Sequence, residues 1–139
     1  PEHRRTAATR RVSRGGLTAR ERAVVRMARA KWAEDLVAST YQRDGYEIVA
    51  RNWHCREGEL DIVAVLQEMQ NKIFVVVEVR ARASNYFGSA LESVTPAKQK
   101  KLRSAAKKFL ASQSTSYGAV RFDVASVMGV KIEIVRDAF

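Results

Sequence analysis

The chain has 139 residues, of which 46% are hydrophobic, and this suits one domain with a core of its own. A single cysteine excludes an internal disulfide framework, and no apolar run reaches the roughly 18–20 residues that a membrane span requires. The formal net charge is +10, and residues 1–31 hold ten basic against two acidic residues, whereas residues 32–139 hold fifteen against thirteen. We therefore expect a basic N-terminal arm over residues 1–17 and a nearly neutral domain over residues 18–139.

The arm has no apolar periodicity with which to fold by itself. Its arginines are candidates for binding a polyanion, and nucleic acid is the partner that such arms usually meet; they are Arg4, Arg5, Arg10, Arg11 and Arg14. Alternatively, the arm is a solvated tail or the remnant of an organellar targeting segment. The cysteine usage favours an intracellular protein, in a mitochondrion or plastid if the arm is a processed extension.

Residues 18–44 are predicted to form a long helix, because Thr18 and Glu21 fit a capping box and Gly45 suits the position after the helix. Two adjacent apolar stripes at helical spacing predict its buried face. The first comprises Val25, Ala28, Trp32 and Leu36, and the second comprises Met27, Ala30, Val37 and Tyr41. Glu34 falls at the margin of this face, and Trp32 is expected in the core.

Three strands are predicted next, over residues 46–53, 59–66 and 72–80, with a hairpin at "QEMQN" between the second and third. A second helix begins with Thr95 as N-cap and Pro96 in its first position. "AVRFDVASVM" and "VKIEIVR" are two final strands. The order α-β-β-β-α-β-β predicts a mixed α/β domain of two or three layers.

Acidic residues interrupt the two most apolar strands. If the hairpin closes around residues 67–71, Asp61 and Glu78 lie near each other on neighbouring strands. Two close carboxylates repel unless one is protonated or a cation lies between them, and oxygen ligands suit Mg²⁺ or Mn²⁺. With Arg80 adding a fixed positive charge, this arrangement predicts a phosphodiester-cleaving site. The alternative is a set of ion pairs on the solvated face of a half-exposed sheet.

Several blocks of the sequence resemble the YraN family, a widespread bacterial group, in order and spacing. They are "AEDLVASTYQRDGYEIVARNW", "GELDIVAV", "FVVVEVRAR", "FGSALESVTPAKQKKL" and "RFDVASV", followed by the terminal "DAF". The resemblance covers residues 30–139 and implies the restriction-endonuclease-like fold of the PD-(D/E)XK superfamily, in which a mixed sheet is flanked by helices. It also implies that Glu34, Asp61 and Glu78 hold Mg²⁺ or Mn²⁺, and that the protein works in a bacterial-type cytoplasm.

The chain departs from the family pattern at two positions. Arg80 stands where the superfamily has a lysine, and Lys31 stands where the family has a glycine. Because arginine stays protonated, Arg80 can stabilise charge on a phosphate but cannot act as a base. The substitution therefore argues for weak or lost turnover.

Basic residues surround the predicted site and mark a phosphate-positioning surface. They are Arg51, Arg56 and Arg82 near the strands, and Lys98, Lys100, Lys101 and Arg103 on the second helix. A solvated amphipathic face explains the helical residues equally well. No base-reading motif is present, so we expect backbone or shape recognition of DNA or RNA. Tyr86 and Phe87 are candidates for touching a nucleotide.

Two functional hypotheses follow, and both include nucleic-acid binding. The first is a Mg²⁺-dependent endonuclease acting on branched or structured nucleic acid, with Glu34, Asp61, Glu78 and Arg80 as its catalytic residues. The second is an inactive nuclease-fold module within a nucleoprotein assembly such as a ribosome, where it also contacts other proteins. A pure protein-interaction domain is a third and weaker alternative. We expect neither membrane association nor a small-molecule substrate.

Overall fold

A computed structural model describes residues 15–83, 90–114 and 116–139. The arginines of the arm up to Arg14, as well as Tyr86 and Phe87, lie outside the described residues. The elements are α1 (Ala19–Arg43), β1 (Glu47–Cys55), β2 (Gly58–Glu68), β3 (Asn71–Ala81), a short 3-10 helix (Leu91–Ser93), α2 (Pro96–Ala111), β4 (Ala119–Met128) and β5 (Lys131–Val135). The predicted order of helices and strands is confirmed. Neither α1 nor α2 is long and apolar enough to cross a membrane.

Both helices begin where their capping residues predict. The Thr18 hydroxyl accepts a hydrogen bond from the Glu21 N–H at 3.1 Å, and the Glu21 carboxylate accepts one from the Thr18 N–H at 2.9 Å. The Thr95 hydroxyl likewise accepts from the Lys98 N–H at 3.2 Å, with Pro96 as the first helical residue. These bonds satisfy backbone donors that a helix start leaves without partners.

The five strands form one sheet in the order β1-β2-β3-β4-β5. All neighbouring strands are antiparallel except β3 and β4, which are parallel and are connected through α2. Helix α1 covers one face, where Val37 and Tyr41 pack with Ile62 and Val75. Helix α2 covers the other face, where Leu102 packs among the apolar side chains. The domain therefore has three layers, in the restriction-endonuclease-like arrangement that the resemblance predicts.

The prediction for the first half of α1 is wrong. The buried residues of this helix begin at Ala33, whereas Val25, Met27 and Trp32 are 41%, 73% and 54% exposed. Helical periodicity identifies residues that share a face, but it does not say how far the surface beneath them extends. Trp32 instead lies at the surface, where its indole N–H donates to the Gly129 carbonyl at 3.3 Å.

Strands β2 and β3 separate at one end and form a fork. Their pairing stops at Ile62 and Val77. Beyond this point β2 remains paired with β1 on one side of the fork, and β3 remains paired with β4 on the other side. Continuing the β2–β3 register by one pair places Asp61 opposite Glu78, so the fork opens at the two carboxylates that the sequence singled out.

Candidate active site

Asp61 is held at the fork by the backbone of the neighbouring strand. Its Oδ2 accepts a hydrogen bond from the Val79 N–H at 2.9 Å. The side chain thus binds a donor that lies just beyond the end of the β2–β3 ladder. This contact fixes the Asp61 carboxylate beside the residue that follows Glu78, as the hairpin register predicts.

Glu78 is a buried carboxylate with an unsatisfied oxygen. The residue is 4% exposed, and within the described part of the chain its Oε2 has no hydrogen-bond partner. Burial, followed by the charge of Asp61, raises the pKa of Glu78 to about 7, although Lys98 and Arg80 act in the opposite direction. Burial is also the main cause that raises the pKa of Asp61. The pair is therefore costly to keep ionised unless a further cation binds it.

Two cations reach Glu78 from different elements. Arg80 Nη2 lies 3.4 Å from Glu78 Oε1, and Lys98 Nζ lies 3.7 Å from the same oxygen. Lys98 belongs to the first turn of α2, which contains no acidic residue. A lysine there opposes the helix dipole, which favours anions at a helix N-terminus. Lys98 shares a helical stripe with the buried Leu102 and therefore faces the sheet.

Glu34 is 9% exposed and is occupied by neighbouring donors. Its Oε1 accepts hydrogen bonds from Arg51 Nε and Asn52 Nδ2, both at 3.0 Å. Arg51 also binds Asp35 at 2.5 Å, and this contact is the largest cause that lowers the pKa of Asp35. Arg51, which the sequence suggests as a phosphate ligand, is thus already paired with two acids.

Asn52 is a site residue that sequence reasoning missed. It has a φ of 50°, in the left-handed region that non-glycine residues rarely adopt, although Asn tolerates it best. The β1–β2 register places Asn52 opposite Asp61, because Arg51 pairs with Ile62 and Trp53 with Leu60. The only advance signal was an Asn inside a predicted strand, where this residue is depleted. Its backbone distortion lies beside the fork, as strained residues often do at functional sites.

The acidic side chains fit a divalent cation in part. Asp61 and Glu78 offer hard oxygen ligands, one of them buried without a partner, and Mg²⁺ often binds one or two carboxylates together with waters and substrate phosphates. However, nowhere in the described residues do three or more His, Cys, Asp or Glu side chains come together as a metal-binding group. Glu34 instead accepts hydrogen bonds from Arg51 and Asn52 in this arrangement, and its role as a third metal ligand stays a prediction.

The other predicted nucleic-acid ligands lie at several places around the fork. Arg56 is exposed in the turn between β1 and β2, and the Arg82 N–H donates to the Val127 carbonyl at 2.7 Å just after β3. Lys101 is exposed on α2. Lys100 and Arg103 line a groove between α2 and the start of β4.

Asp123 shows what a structural buried acid looks like in this fold. It is fully buried and accepts hydrogen bonds from the Tyr41 hydroxyl at 2.6 Å and the Asp137 N–H at 3.0 Å. Arg121 binds both of its oxygens, at 2.9 and 3.0 Å. Burial raises the pKa of Tyr41, and its bond to Asp123 adds to the effect. Both oxygens of Asp123 are satisfied by protein donors, whereas Oε2 of Glu78 has no partner among the described residues, so the role of Asp123 is to hold the C-terminal segment against the core.

Comparison with known proteins matches this chain to one family. The profile of the uncharacterised protein family UPF0102 matches residues 33–127, which include the whole fork. A UPF0102 protein of Ralstonia nicotianae is 44% identical over 110 residues, covering 77% of this chain and 82% of the relative. One of Acidothermus cellulolyticus is 41% identical over 132 residues, covering 84% and 97%, and one of Clostridium perfringens is 38% identical over 96 residues, covering 69% and 75%. These relatives are bacterial and lend no support to the organellar alternative.

Proposed function

This chain belongs to the uncharacterised protein family UPF0102, the YraN family of the sequence resemblance, and we propose that it binds nucleic acid and hydrolyses phosphodiester bonds in branched or structured substrates with the help of a divalent metal ion. The observation that carries the proposal is the pair of neighbouring carboxylates at the fork, in which Asp61 is partly buried and Glu78 is buried. One Glu78 oxygen has no partner among the described residues, and the pKa of Glu78 is raised despite two neighbouring cations. A purely structural acid in this fold, Asp123, is fully bonded instead.

In the proposed function, two acidic residues of the fork bind a cation and two basic residues bind a phosphate. Asp61 and Glu78 would bind Mg²⁺ or Mn²⁺, which when bound supplies a Lewis acid for a phosphate oxygen and activates water. The Val79 N–H orients Asp61 before any ligand arrives. This preorganisation avoids the cost of fixing the carboxylate during the reaction.

Lys98 and Arg80 are the groups that would stabilise negative charge on the phosphate. Both are about one-third exposed, so a phosphate can approach them, and both are anchored by Glu78. The planar guanidinium of Arg80 presents its N–H donors in a fixed geometry that matches a phosphate. Lys98 lies in the first turn of α2, and the partial positive charge of a helix N-terminus also favours an anion.

The test is cleavage of labelled single strands, duplexes, flaps, four-way junctions and structured RNA, with Mg²⁺ or Mn²⁺. Asp61→Asn should reduce cleavage at least about a hundredfold because it removes a charge that a metal ion requires. Glu133→Gln, which alters an exposed acid on β5, serves as the matched control and should cleave as wild type does. Equal cleavage by wild type and Asp61→Asn would refute the proposal.

An inactive nucleic-acid-binding module is the second candidate, and two observations favour it. Arg51 and Asn52 both donate to Oε1 of Glu34, the candidate third metal ligand, and Arg80 replaces the superfamily lysine. Such a module would bind the same substrates with strong salt dependence and cleave none of them. Cleavage by Arg80→Lys but not by wild type would show that the site lacks activity because arginine replaces lysine at this position.

A further inference from the structure

We propose that a groove between α2 and the start of β4 binds an unpaired nucleotide, with the base against Tyr117 and the phosphates at Lys100 and Lys107. The inference depends on the proposed nucleic-acid function for its partner, and it specifies the substrate as one with a single-stranded segment. The groove has a volume of about 380 Å³. That volume lies at the lower end of small-ligand sites and suits a single nucleotide unit.

The floor and wall of the groove suit a flat ring. Leu110, Val120 and Phe122 line it with apolar surface. Tyr117 is 45% exposed, and its ring packs edge-on against Phe74 with the centroids 5.6 Å apart. The neighbouring ring therefore supports Tyr117 from within the domain, while much of its own surface stays open to solvent. Bases stack on such aromatic platforms whatever their sequence.

The rim of the groove carries positive charge that the described protein does not neutralise. Lys100, Arg103 and Lys107 line it, and no acidic side chain of the described residues pairs with any of the three. Two other cations of the same helix are paired with acids, since Lys98 binds Glu78 and Lys108 binds Glu57. Unpaired cations beside an apolar floor match a ligand that combines an aromatic ring with an anion.

Arg103 is fixed in place without the use of an acid. Its guanidinium carbon lies 5.0 Å from the ring centroid of Phe122 and 5.4 Å from that of Phe139. The two rings are stacked with centroids 5.1 Å apart. Cation–π contacts of this kind hold the guanidinium plane, so its N–H donors remain available for a phosphate or a base edge.

The groove lies close enough to the fork for one strand to occupy both. Lys98 and Lys107 are nine residues apart on α2, which corresponds to about 13 Å along the helix axis. One strand of stacked DNA rises about 3.4 Å per nucleotide along its axis and an extended strand rises more, so this distance covers at most about four nucleotides. A base inside a duplex is stacked and cannot enter the groove without being flipped out. The ligand is thus an unpaired nucleotide a few positions from the scissile phosphate.

The experiment measures binding of a fluorescein-labelled 12-nucleotide single strand and of its blunt duplex, in EDTA, by fluorescence anisotropy. Tyr117→Ala should weaken single-strand binding roughly five- to a hundredfold and leave duplex binding nearly unchanged. Tyr117→Phe is the matched control, since it keeps the ring and should bind as wild type does. Lys100→Gln/Lys107→Gln should reduce the slope of log K against log salt by about 1.4, whereas Lys131→Gln on β5 should not change it.

Three results would overturn the inference. The first is equal single-strand affinity of Tyr117→Ala and wild type. The second is an equal loss for single strand and duplex. The third is Tyr117-dependent binding of a 12-residue polyglutamate peptide that is tighter than binding of the oligonucleotide, which would make the groove a peptide site. Binding is measured without metal, so the two proposals can fail separately. Tyr117-dependent binding without cleavage would support the nucleotide groove and refute the proposed hydrolysis. Cleavage without Tyr117-dependent binding would support the hydrolysis and refute the groove.

Discussion

Glu78→Gln should make the protein more stable at alkaline pH, because it removes the charge that the fork disfavours. The pKa of Glu78 rises from 4.5 to about 7 in the folded chain, mainly through burial. Between these values the native state keeps a proton that the unfolded state has released, so stability falls as pH rises. At about 1.36 kcal/mol per pH unit the loss totals about 3 kcal/mol, and it is complete above about pH 7.

Glutamine mimics the protonated acid at every pH. The variant should therefore match wild type near pH 4 and exceed it by up to about 3 kcal/mol at pH 8.5. For a chain of this length the difference corresponds to about 10 °C in Tm. Urea unfolding and thermal denaturation in EDTA, from pH 4 to pH 8.5, measure it directly. Glu133→Gln, the exposed control, should stay within about 0.5 kcal/mol of wild type.

Metal ions provide the second half of this test. A divalent cation bound by Asp61 and Glu78 should stabilise wild type at pH 8.5 by about 2.7 kcal/mol at a concentration of one hundred times Kd. It should leave Glu78→Gln nearly unchanged. The reasoning is refuted if Glu78→Gln is less stable than wild type at pH 8.5, or if the difference between the two proteins is the same at pH 4 and pH 8.5.

Asp123→Ala should lower the free energy of unfolding, measured by urea denaturation, by about 3–5 kcal/mol, because it leaves the Arg121 guanidinium without its acidic partner. As a control, Asp44→Ala breaks an exposed ion pair and should lower the free energy of unfolding by less than about 1 kcal/mol. Asn52→Gly should be more stable than Asn52→Ala by about 1 kcal/mol in thermal denaturation. Both variants lose the bond to Glu34, but only glycine accepts the left-handed backbone without strain. The opposite order of stability would show that this backbone conformation is not maintained.

The element order could be predicted from the sequence because its signals are local. Thr18 and Thr95 mark helix starts through bonds to residues three positions later. The hairpin between β2 and β3 closes at Glu68 and Asn71, and a short closure fixes the register of every later pair. The proximity of Asp61 and Glu78 follows from that register alone.

The remaining features of the site depend on contacts between distant parts of the chain. Lys98 reaches Glu78 because α2 crosses the sheet between the parallel strands β3 and β4. Arg51 and Asn52 bind Glu34 across 17 and 18 residues of sequence. Sequence spacing contains no signal for these pairings, since the residues lie on different elements whose relative position is set by packing.

Periodicity and turn chemistry thus determined the helices, the strands and the two facing carboxylates of this protein, because each depends on neighbours in the chain. The tertiary structure decided which charges surround those carboxylates, where the sheet ends beneath α1, and that Trp32 is exposed. It also decided that Tyr117 and the cations of α2 meet in one groove. The physical reason is that burial and charge pairing depend on distances in space, and the packing of helices on a sheet fixes those distances only after the chain has folded.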